Sequence, residues 1–409
     1  MKNELYLVTG GAGFLGSNIC RLLTAGGKRV RTLVLDGDPA EKYVPEGIGI
    51  VHGDILDTAS LDRFFTVDED DEVYVIHVAG IVWTKPEVNL KVHDVNVNGT
   101  ANILDQCIKH QVRKLVYISS IGVIPELPAG QKIRETDHFW PNDNLVDYYS
   151  ATKAEATQLV MDAMKQHPEL DASIIHPTGI CGPRDYAFGP VSSMVRDYVL
   201  GKMKMGIEGT FNSVDVRDLA AGVVAACKRG RRGECYIMSN EVVTMHDMFR
   251  LMNEAAGLSG KSYVLSKELA HAAVRVLALA GKITGKEPLL TDFNIYMLNR
   301  NNDYDCSKAE RELGFHSRPF SESIRDTVYW LKEEGFLDIK ENSRVVDVDP
   351  ALLMMLLRKC VVPAVSRRHD TGSAEIQVSD MNKFPIAVLL RNRQILVKIF
   401  NIAAVCQFM

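Results

Sequence analysis

The first 185 residues alternate short apolar runs with longer mixed stretches. Leu5–Val8, Val30–Leu35, Gly49–Val51, Val73–Val78 and Lys114–Ile118 have strand length and are rich in Val, Ile, Leu and Tyr. The segment after the first run places Ile19, Leu22 and Leu23 on one side of a helix. Strands that alternate with helices predict a parallel sheet covered on both faces, and Val73–Val78, apolar almost throughout, fits a strand with no solvent side. The expected fold class is therefore α/β, a doubly wound parallel sheet.

Beyond Asp185 the pattern becomes mainly helical. Gly233–Met238 reads as one more strand, and Ser307–Phe315 as a late helix. The expected division is a dinucleotide-binding domain over 1–185, to which about 211–240 returns, and a smaller, mostly helical C-terminal substrate domain over 186–338. A tail over 339–409 carries no recognisable motif. Leu269–Ala280 is apolar but too short to span a bilayer, which leaves a lid helix or a weak membrane association. In the tail, Ala351–Leu357 is an apolar helix candidate. Ile386–Val405 holds Arg391, Arg393 and Lys398, each costly at a bilayer centre, so no transmembrane span is expected.

Composition narrows the function classes. The 409 residues are 46% hydrophobic and 24% charged, as in ordinary globular proteins, and the net charge of -5 argues against a nucleic-acid partner. Eight scattered cysteines without a CxxC pair point to reduced thiols and a cytoplasmic protein, with no metal site. The first residues run directly into a strand, so no secretory leader is expected.

The strand Leu5–Val8 is followed by Thr9-Gly10-Gly11-Ala12-Gly13-Phe14-Leu15-Gly16 and then a helix. Strand, glycine turn and helix are the context a dinucleotide fingerprint requires. Gly10 suits a tight turn, Gly13 the close approach of a diphosphate, and Gly16 the packing of helix on strand, with Phe14 and Leu15 opening the helix. Free N–H groups at that helix N-terminus favour an anion. Asp36 ends the second strand, about 20 residues past Gly16, where a carboxylate contacts ribose hydroxyls. Asp38 could share this role. A carboxylate there repels a 2′-phosphate, so NAD is expected over NADP, although Arg31 lies on the same strand. Asp54 and Ile55 end the third strand, where an adenine edge would lie. Ala79 and Gly80 end the fourth, small enough for a flat cofactor to approach. His77 reads as a satisfied core histidine.

Asp147-Tyr148-Tyr149-Ser150-Ala151-Thr152-Lys153 leads into a helix-favouring stretch. Side chains four apart share a face, so Tyr149 and Lys153 project together and Tyr148 turns away. A phenol titrates near pH ~10, and a neighbouring ammonium is expected to lower that value toward working pH.

TGGAGFLG (9–16), GDILD (53–57), VIHVAG (75–80), NVNGT (96–100), VYISS (116–120), YYSATK (148–153) and HPTGICGPRD (176–185) occur in this order. Together, over about residues 1–338, they resemble the extended short-chain dehydrogenase/reductases, the NAD-dependent epimerase/dehydratase superfamily, whose cofactor domain is a Rossmann fold. The resemblance implies Ser120 as the catalytic serine, with Ser119 the near alternative, and Tyr149 and Lys153 as the Tyr/Lys pair. It also implies Asn96 as the helix asparagine that supports the site, and Pro177 and Gly179 as cofactor contacts. Ser120 is followed by Ile121-Gly122, so the Asp-Glu couple of sugar-nucleotide dehydratases is missing. The PTGxxGP form is similar to the 3β-hydroxysteroid-dehydrogenase-like and dihydroflavonol-reductase-like branches, with His176 where Arg is frequent. The implied activity is hydroxyl/ketone interconversion on a small hydrophobic alcohol or ketone, by a homodimer.

Substrate walls are expected from Ile81, Val82 and Trp83, from His138, Phe139 and Trp140, and from Tyr186, Ala187 and Phe188. In Val214-Asp215-Val216-Arg217-Asp218, Asp218 is expected to cap a helix and Asp215 and Arg217 to form a structural ion pair. Two alternatives stand beside the dehydrogenase reading: a sugar-nucleotide epimerase with tightly held NAD, and a non-catalytic dinucleotide sensor. The complete Ser120, Tyr149 and Lys153 set argues against the sensor.

Overall fold

The computed structural model describes residues 3–84, 87–139, 147–203, 205–259, 262–274 and 292–337. The first compact unit is Met1–Ala187 with Asn212–Glu241 and Asn301–Ser323. The second is Phe188–Phe211, Val242–Arg300 and the chain from Ile324 onward. Residues 301–323 thus join the first unit rather than the substrate domain expected over 186–338. Their helix, Ser307–Leu313, buries Ala309 and Leu313 in the core beside the sheet.

The first unit is a Rossmann-type α/β fold. Its sheet contains β1 (Asn3–Thr9), β2 (Arg29–Val34), β3 (Gly49–His52), β4 (Asp71–His77), β5 (Lys114–Ile118), β6 (Ala172–Pro177) and the late strand Cys235–Met238. All seven are parallel, in the order late strand, β6, β5, β4, β1, β2, β3. Strand period-2 alternation divides each central strand between two cores. Leu5 and Leu7, Val73 and Val75, and Leu115 and Tyr117 face one core. Tyr6 and Val8, Tyr74 and Ile76, and Val116 and Ile118 face the other.

Helices cover both faces. α1 (Phe14–Ala25) contributes Ile19 and Leu23 to the second core, joined by Leu219 and Val223 of the helix Val216–Arg229. α2 (Thr58–Phe64), the helix Gly99–Lys109 and the helix Tyr148–Gln166 contribute Leu61, Ile103 and Val160 to the first. Burying such side chains on both faces stabilises by about 1.5–3 kcal/mol each relative to exposure. The strand order reverses between β1 and β4, which opens a crevice at the carboxyl ends of these strands. The glycine turn sits there.

The second unit packs the helix Pro190–Val199 against the helix Met245–Ala256, with Tyr198 stacked on Phe249 at 4.9 Å between centroids. A short parallel strand pair, Met205–Ile207 with Tyr263–Leu265, completes it. Phe188 packs on Trp330 and Phe336 in this unit. Residues 267–274 are helical, and Leu269, Ala270, Ala273 and Val274 there are buried. The rest of the expected lid or membrane-facing stretch, Trp140, and the tail over 339–409 lie outside the described residues. Among the described residues no helix is long and apolar enough to cross a membrane.

The cap of the helix Val216–Arg229 is Asp215, not Asp218: its carboxylate accepts from the Arg217 backbone N–H at 2.9 Å. The same carboxylate pairs with the Arg217 guanidinium at 2.7 Å. Asp218 lies in the first turn and is taken by Arg318 at 2.6 Å.

Gly11 is a packing glycine. A Cβ there would lie 2.0 Å from Thr32 Oγ1, whose hydroxyl donates to the Val8 carbonyl. Gly11→Ala is expected to cost about 1–3 kcal/mol in urea unfolding. Combining it with Thr32→Ala should recover part of that loss, and strictly additive costs would show that this contact is not the constraint.

Candidate active site

The glycine turn is shaped by two close approaches. Gly10 adopts φ 71°, and a Cβ there would meet the Ala79 backbone nitrogen at 2.9 Å. At Gly16 a Cβ would lie 2.0 Å from the Gly10 carbonyl oxygen, so this glycine lets α1 seat on the turn. Gly13 is the exposed N-cap of α1, with no side chain capping the first turn. The leading N–H groups are thus left for an anion. Phe14 is half-buried and its carbonyl accepts from Asn18 at 2.8 Å. Leu15 is buried in the core and offers only its main chain.

At the end of β2, Asp36 is exposed, just ahead of Gly37 at φ 72°. Asp38 accepts from Ala40 N at 2.8 Å with one oxygen and keeps the other outside that turn. Arg31 donates to the carbonyls of Phe64 (3.0 Å) and Thr66, which occupies its guanidinium away from the end of β2. The position after β2 therefore presents a carboxylate. At the end of β3, Asp54 accepts from Leu56 N at 2.9 Å and keeps one oxygen outside that turn. Ile55 turns its side chain inward. Its side chain is buried against Gly99, where a Cβ would come within 2.4 Å, and its carbonyl accepts from Asn102 at 3.0 Å. Only its main-chain nitrogen is left for a ligand.

A polar chain ties the glycine turn to the helix of Tyr149. Thr9 Oγ1, at the end of β1, accepts from the backbone N–H groups of Val78 (3.1 Å) and Ala79 (3.2 Å). With both acceptor positions in use, its hydroxyl donates to His77 Nδ1 at 2.7 Å. His77 Nε2 then donates to Thr100 Oγ1 at 3.1 Å, and Thr100 donates to the Asn96 carbonyl at 2.7 Å. Burial pushes the imidazole down to about 3, so the ring is neutral, as that network requires. His77 is the satisfied core histidine expected.

Asn96 stands in a π-helical turn, Asp94–Asn98, and is 1% exposed. Its Oδ1 accepts from Ile81 N at 2.8 Å, and its Nδ2 donates to Ile81 O at 3.0 Å and Thr152 Oγ1 at 3.1 Å. Thr152 donates to the Tyr149 carbonyl at 2.8 Å. Asn96 thus clamps the chain after β4 to the first turn of the Tyr149 helix. The π turn makes room for this inward reach. Ala79 and Gly80 lie on the clamped stretch.

The serine pair separates cleanly. Ser119 is buried, its hydroxyl 2.7 Å from Thr157 Oγ1. Ser120 is only partly buried and caps the turn Ile121–Val123, accepting from Gly122 N at 3.2 Å. Its carbonyl accepts from His176 Nδ1 at 3.1 Å. Burial pushes His176 down to about 4, so this ring is neutral. Sequence reasoning passed over His176 as a minor departure, and only the fold shows that it holds the Ser120 backbone.

The Tyr149 helix is capped by Asp147, which accepts from Ser150 N at 2.7 Å. Tyr149 is half-buried, and the Ser120 side chain is near enough to pull its phenol down against burial. Lys153, one turn later, is 5% exposed and donates to the Ile118 carbonyl at 2.7 Å. Ser120, Tyr149 and Lys153 therefore converge at the ends of β5 and its neighbouring helix. The expected lowering of the phenol is not seen. Burial, helped by the Asp147 charge, pushes Tyr149 up to about 12, against the smaller pull of Ser120. The ammonium faces Ile118 O and the Tyr117 ring instead, and burial pushes Lys153 down to about 7.

Pro177 ends β6, and Gly179 begins the strand Gly179–Cys181, where a Cβ would sit 2.9 Å from Ser213 Oγ. The expected aromatic walls are largely used elsewhere. Phe139 is buried and stacked on His176 at 5.3 Å. Tyr186 stacks on Tyr43 at 3.6 Å, and Phe188 belongs to the second unit. Val82 stays 65% exposed. The described cysteines are free, and five of them are buried.

Comparison with known proteins agrees with this geometry. The model of the 3-beta hydroxysteroid dehydrogenase/isomerase family matches residues 7–262. Sterol demethylase protein B of Methylococcus capsulatus is 26% identical over 345 residues, covering 81% of this chain and 99% of that protein. Short-chain dehydrogenase/reductase family 42E member 1 of Mus musculus is 30% identical over 355 residues, covering 81% and 88%. The structure of a Thermus thermophilus UDP-glucose 4-epimerase complexed with NAD shares the fold, with TM-score 0.63 at 23% identity, covering 80% of this chain and 99% of that one. With the glycine turn, the Tyr149/Lys153 helix and the family match on one chain, this protein belongs to the 3-beta hydroxysteroid dehydrogenase/isomerase family of extended short-chain dehydrogenase/reductases.

Proposed function

We propose that the chain is an NAD-dependent oxidoreductase that interconverts a hydroxyl and a ketone on a small hydrophobic, steroid-like or flavonoid-like substrate. The observation that carries this reading is the convergence of Ser120, Tyr149 and Lys153 at the end of β5 and the helix beside it, with Ser120 pulling the Tyr149 phenol down against its burial. The residues present fit a dinucleotide: an uncapped helix N-terminus beside an exposed Gly13, and an exposed Asp36 after β2. The α1 N–H groups would hold the diphosphate, Asp36 the adenosine ribose and Lys153 the nicotinamide ribose. Bound NAD supplies a hydride acceptor or donor at C4 of its nicotinamide.

The chain's own groups handle the proton. Tyr149 stays protonated at neutral pH because burial opposes the phenolate. It therefore stands ready to donate to the carbonyl oxygen in reduction. In oxidation it accepts the hydroxyl proton, a step that needs the phenolate and thus the help of Lys153. Ser120 donates to the same substrate oxygen and stabilises its developing charge. Asn96 and His176 hold the backbones that carry these groups. The hydrophobic substrate class is supported by the family match, by the sterol-related relative, and by Ile121-Gly122 where dehydratases place Asp-Glu. A role as a sugar-nucleotide epimerase would instead show NAD copurifying and no net NADH release.

Tyr149→Phe is expected to reduce turnover of a steroid or flavonoid alcohol at least 1000-fold in an NADH absorbance assay while NAD still binds. Retained turnover would remove the phenol from the chemistry. Asp36→Ala should narrow the NAD over NADP preference about tenfold or more, and an unchanged ratio would place cofactor choice elsewhere. Lys153→Met should weaken NAD binding at least tenfold by calorimetry. The same change should stabilise the ligand-free fold. A lysine whose folded value lies near 7, below its unfolded 10.5, penalises folding below pH 7, and the penalty lifts as pH rises toward 10.5. The variant is therefore expected to gain about 2–5 kcal/mol over the parent below pH 7 in urea unfolding, shrinking above it. A gap that widened with pH would contradict the buried charge.

A further inference from the structure

Lys153 is an ammonium buried without an anion. It is 5% exposed, and among the described residues no ion pair holds it. Its partners are the Ile118 carbonyl at 2.7 Å and the ring of Tyr117, whose centroid lies 4.5 Å from Nζ. Among the described residues, the titratable groups around it are uncharged at neutral pH. From β4 comes His77 and from β6 His176, both neutral through burial. From its own helix comes Tyr149, a protonated phenol. Tyr117, on β5, is fully buried, and burial holds its phenol well above the ordinary tyrosine range.

We propose that Tyr117 is a positioning residue that keeps Lys153 charged and aimed at the cofactor site, through the negative face of its ring rather than its hydroxyl. The physical basis is the quadrupole of an aromatic ring, which attracts a cation most strongly where water is excluded. At this site the ring and one carbonyl are the groups that replace the hydration shell of the ammonium. The position is set by strand geometry. Tyr117 alternates with Val116 and Ile118, so its side chain lies on the sheet face that the Tyr149 helix covers. Its neighbour Ile118 supplies the carbonyl, so two consecutive residues of β5 grip one ammonium from two sides. The two tyrosines of this region thus have different work. Tyr149 is half-buried and exchanges a proton, whereas Tyr117 is sealed off from substrate and holds charge on the lysine.

The inference deepens the catalytic reading of Lys153, but its test does not depend on that reading. Lysine labelled with 13C at Cε reports the ionisation of each ammonium by NMR in the ligand-free protein, and Lys153→Met identifies the resonance. The expected midpoint for Lys153 is the same in the parent and in Tyr117→Phe, because the ring face is kept. In Tyr117→Leu it should fall by about one pH unit, a tenfold loss of proton affinity. Replacing Tyr117 with 3,4,5-trifluorophenylalanine keeps the shape and weakens the ring face, so it should shift the midpoint the same way even if Tyr117→Leu does not fold. Equal midpoints in parent, Tyr117→Phe and the fluorinated variant would overturn the proposal. So would a shift in Tyr117→Phe as large as that in the fluorinated variant, which would assign the effect to the hydroxyl. If the midpoints move as expected while Lys153→Met leaves NAD binding unchanged, the cofactor role of Lys153 fails and the Tyr117 contact stands.

Discussion

Thr9 sits where two requirements meet. Its hydroxyl oxygen accepts two backbone N–H groups from the end of β4 and gives its proton to His77, so one short side chain joins the strand before the glycine turn to the strand beside it. From His77 the bonds continue through Thr100 and Asn96 to Thr152 and the Tyr149 carbonyl. Leaving one such buried group unpaired costs about 1–3 kcal/mol, so each link holds its neighbours in one arrangement. The glycine turn and the Tyr149 helix lie far apart in sequence, and this chain of bonds fixes one against the other.

A second constraint is the burial of Lys153. A charge in the interior without an anion opposes folding, and groups of this kind cluster where chemistry needs them. The fold tolerates it by surrounding the ammonium with a carbonyl and a ring while keeping the adjacent histidines neutral. Burial likewise raises Tyr149, so its phenol stays protonated at neutral pH. The expected coupling of lysine to phenol is not built into this state, because the ammonium is turned toward β5.

Much of the fold was legible in local pattern. Apolar runs such as Val73–Val78 mark doubly covered strands because a parallel strand has no solvent face. The glycine spacing marks a turn because a positive φ at Gly10 and the contact at Gly16 exclude side chains. Local pattern left open the residues whose type suits two environments. Phe139, Tyr186 and Phe188 read equally well as substrate walls and as packing, and the structure uses them in packing or stacking. Ile55 follows a strand end, and packing puts its side chain over Gly99 while leaving its main-chain nitrogen outward of that contact. Asp215 and Asp218 are both acidic residues at a helix start; the helix begins at Val216, so Asp215 caps it, and Asp218 in the first turn pairs with Arg318, 100 residues later.

What the sequence determined by itself is the set of elements and the chemical types at their ends: glycines after β1, a carboxylate after β2, serines after β5, and Tyr149 four residues before Lys153. Periodicity and spacing are local properties, so they survive without a structure. What only the tertiary structure decided is which neighbour each of those groups faces. Ser119 turns to Thr157 while Ser120 caps the turn at Gly122, and Arg31 is drawn to the carbonyls of Phe64 and Thr66. Lys153 comes to rest on Tyr117 rather than beside a carboxylate. Those choices depend on residues brought together from distant parts of the chain, and on how much water the packing leaves around them.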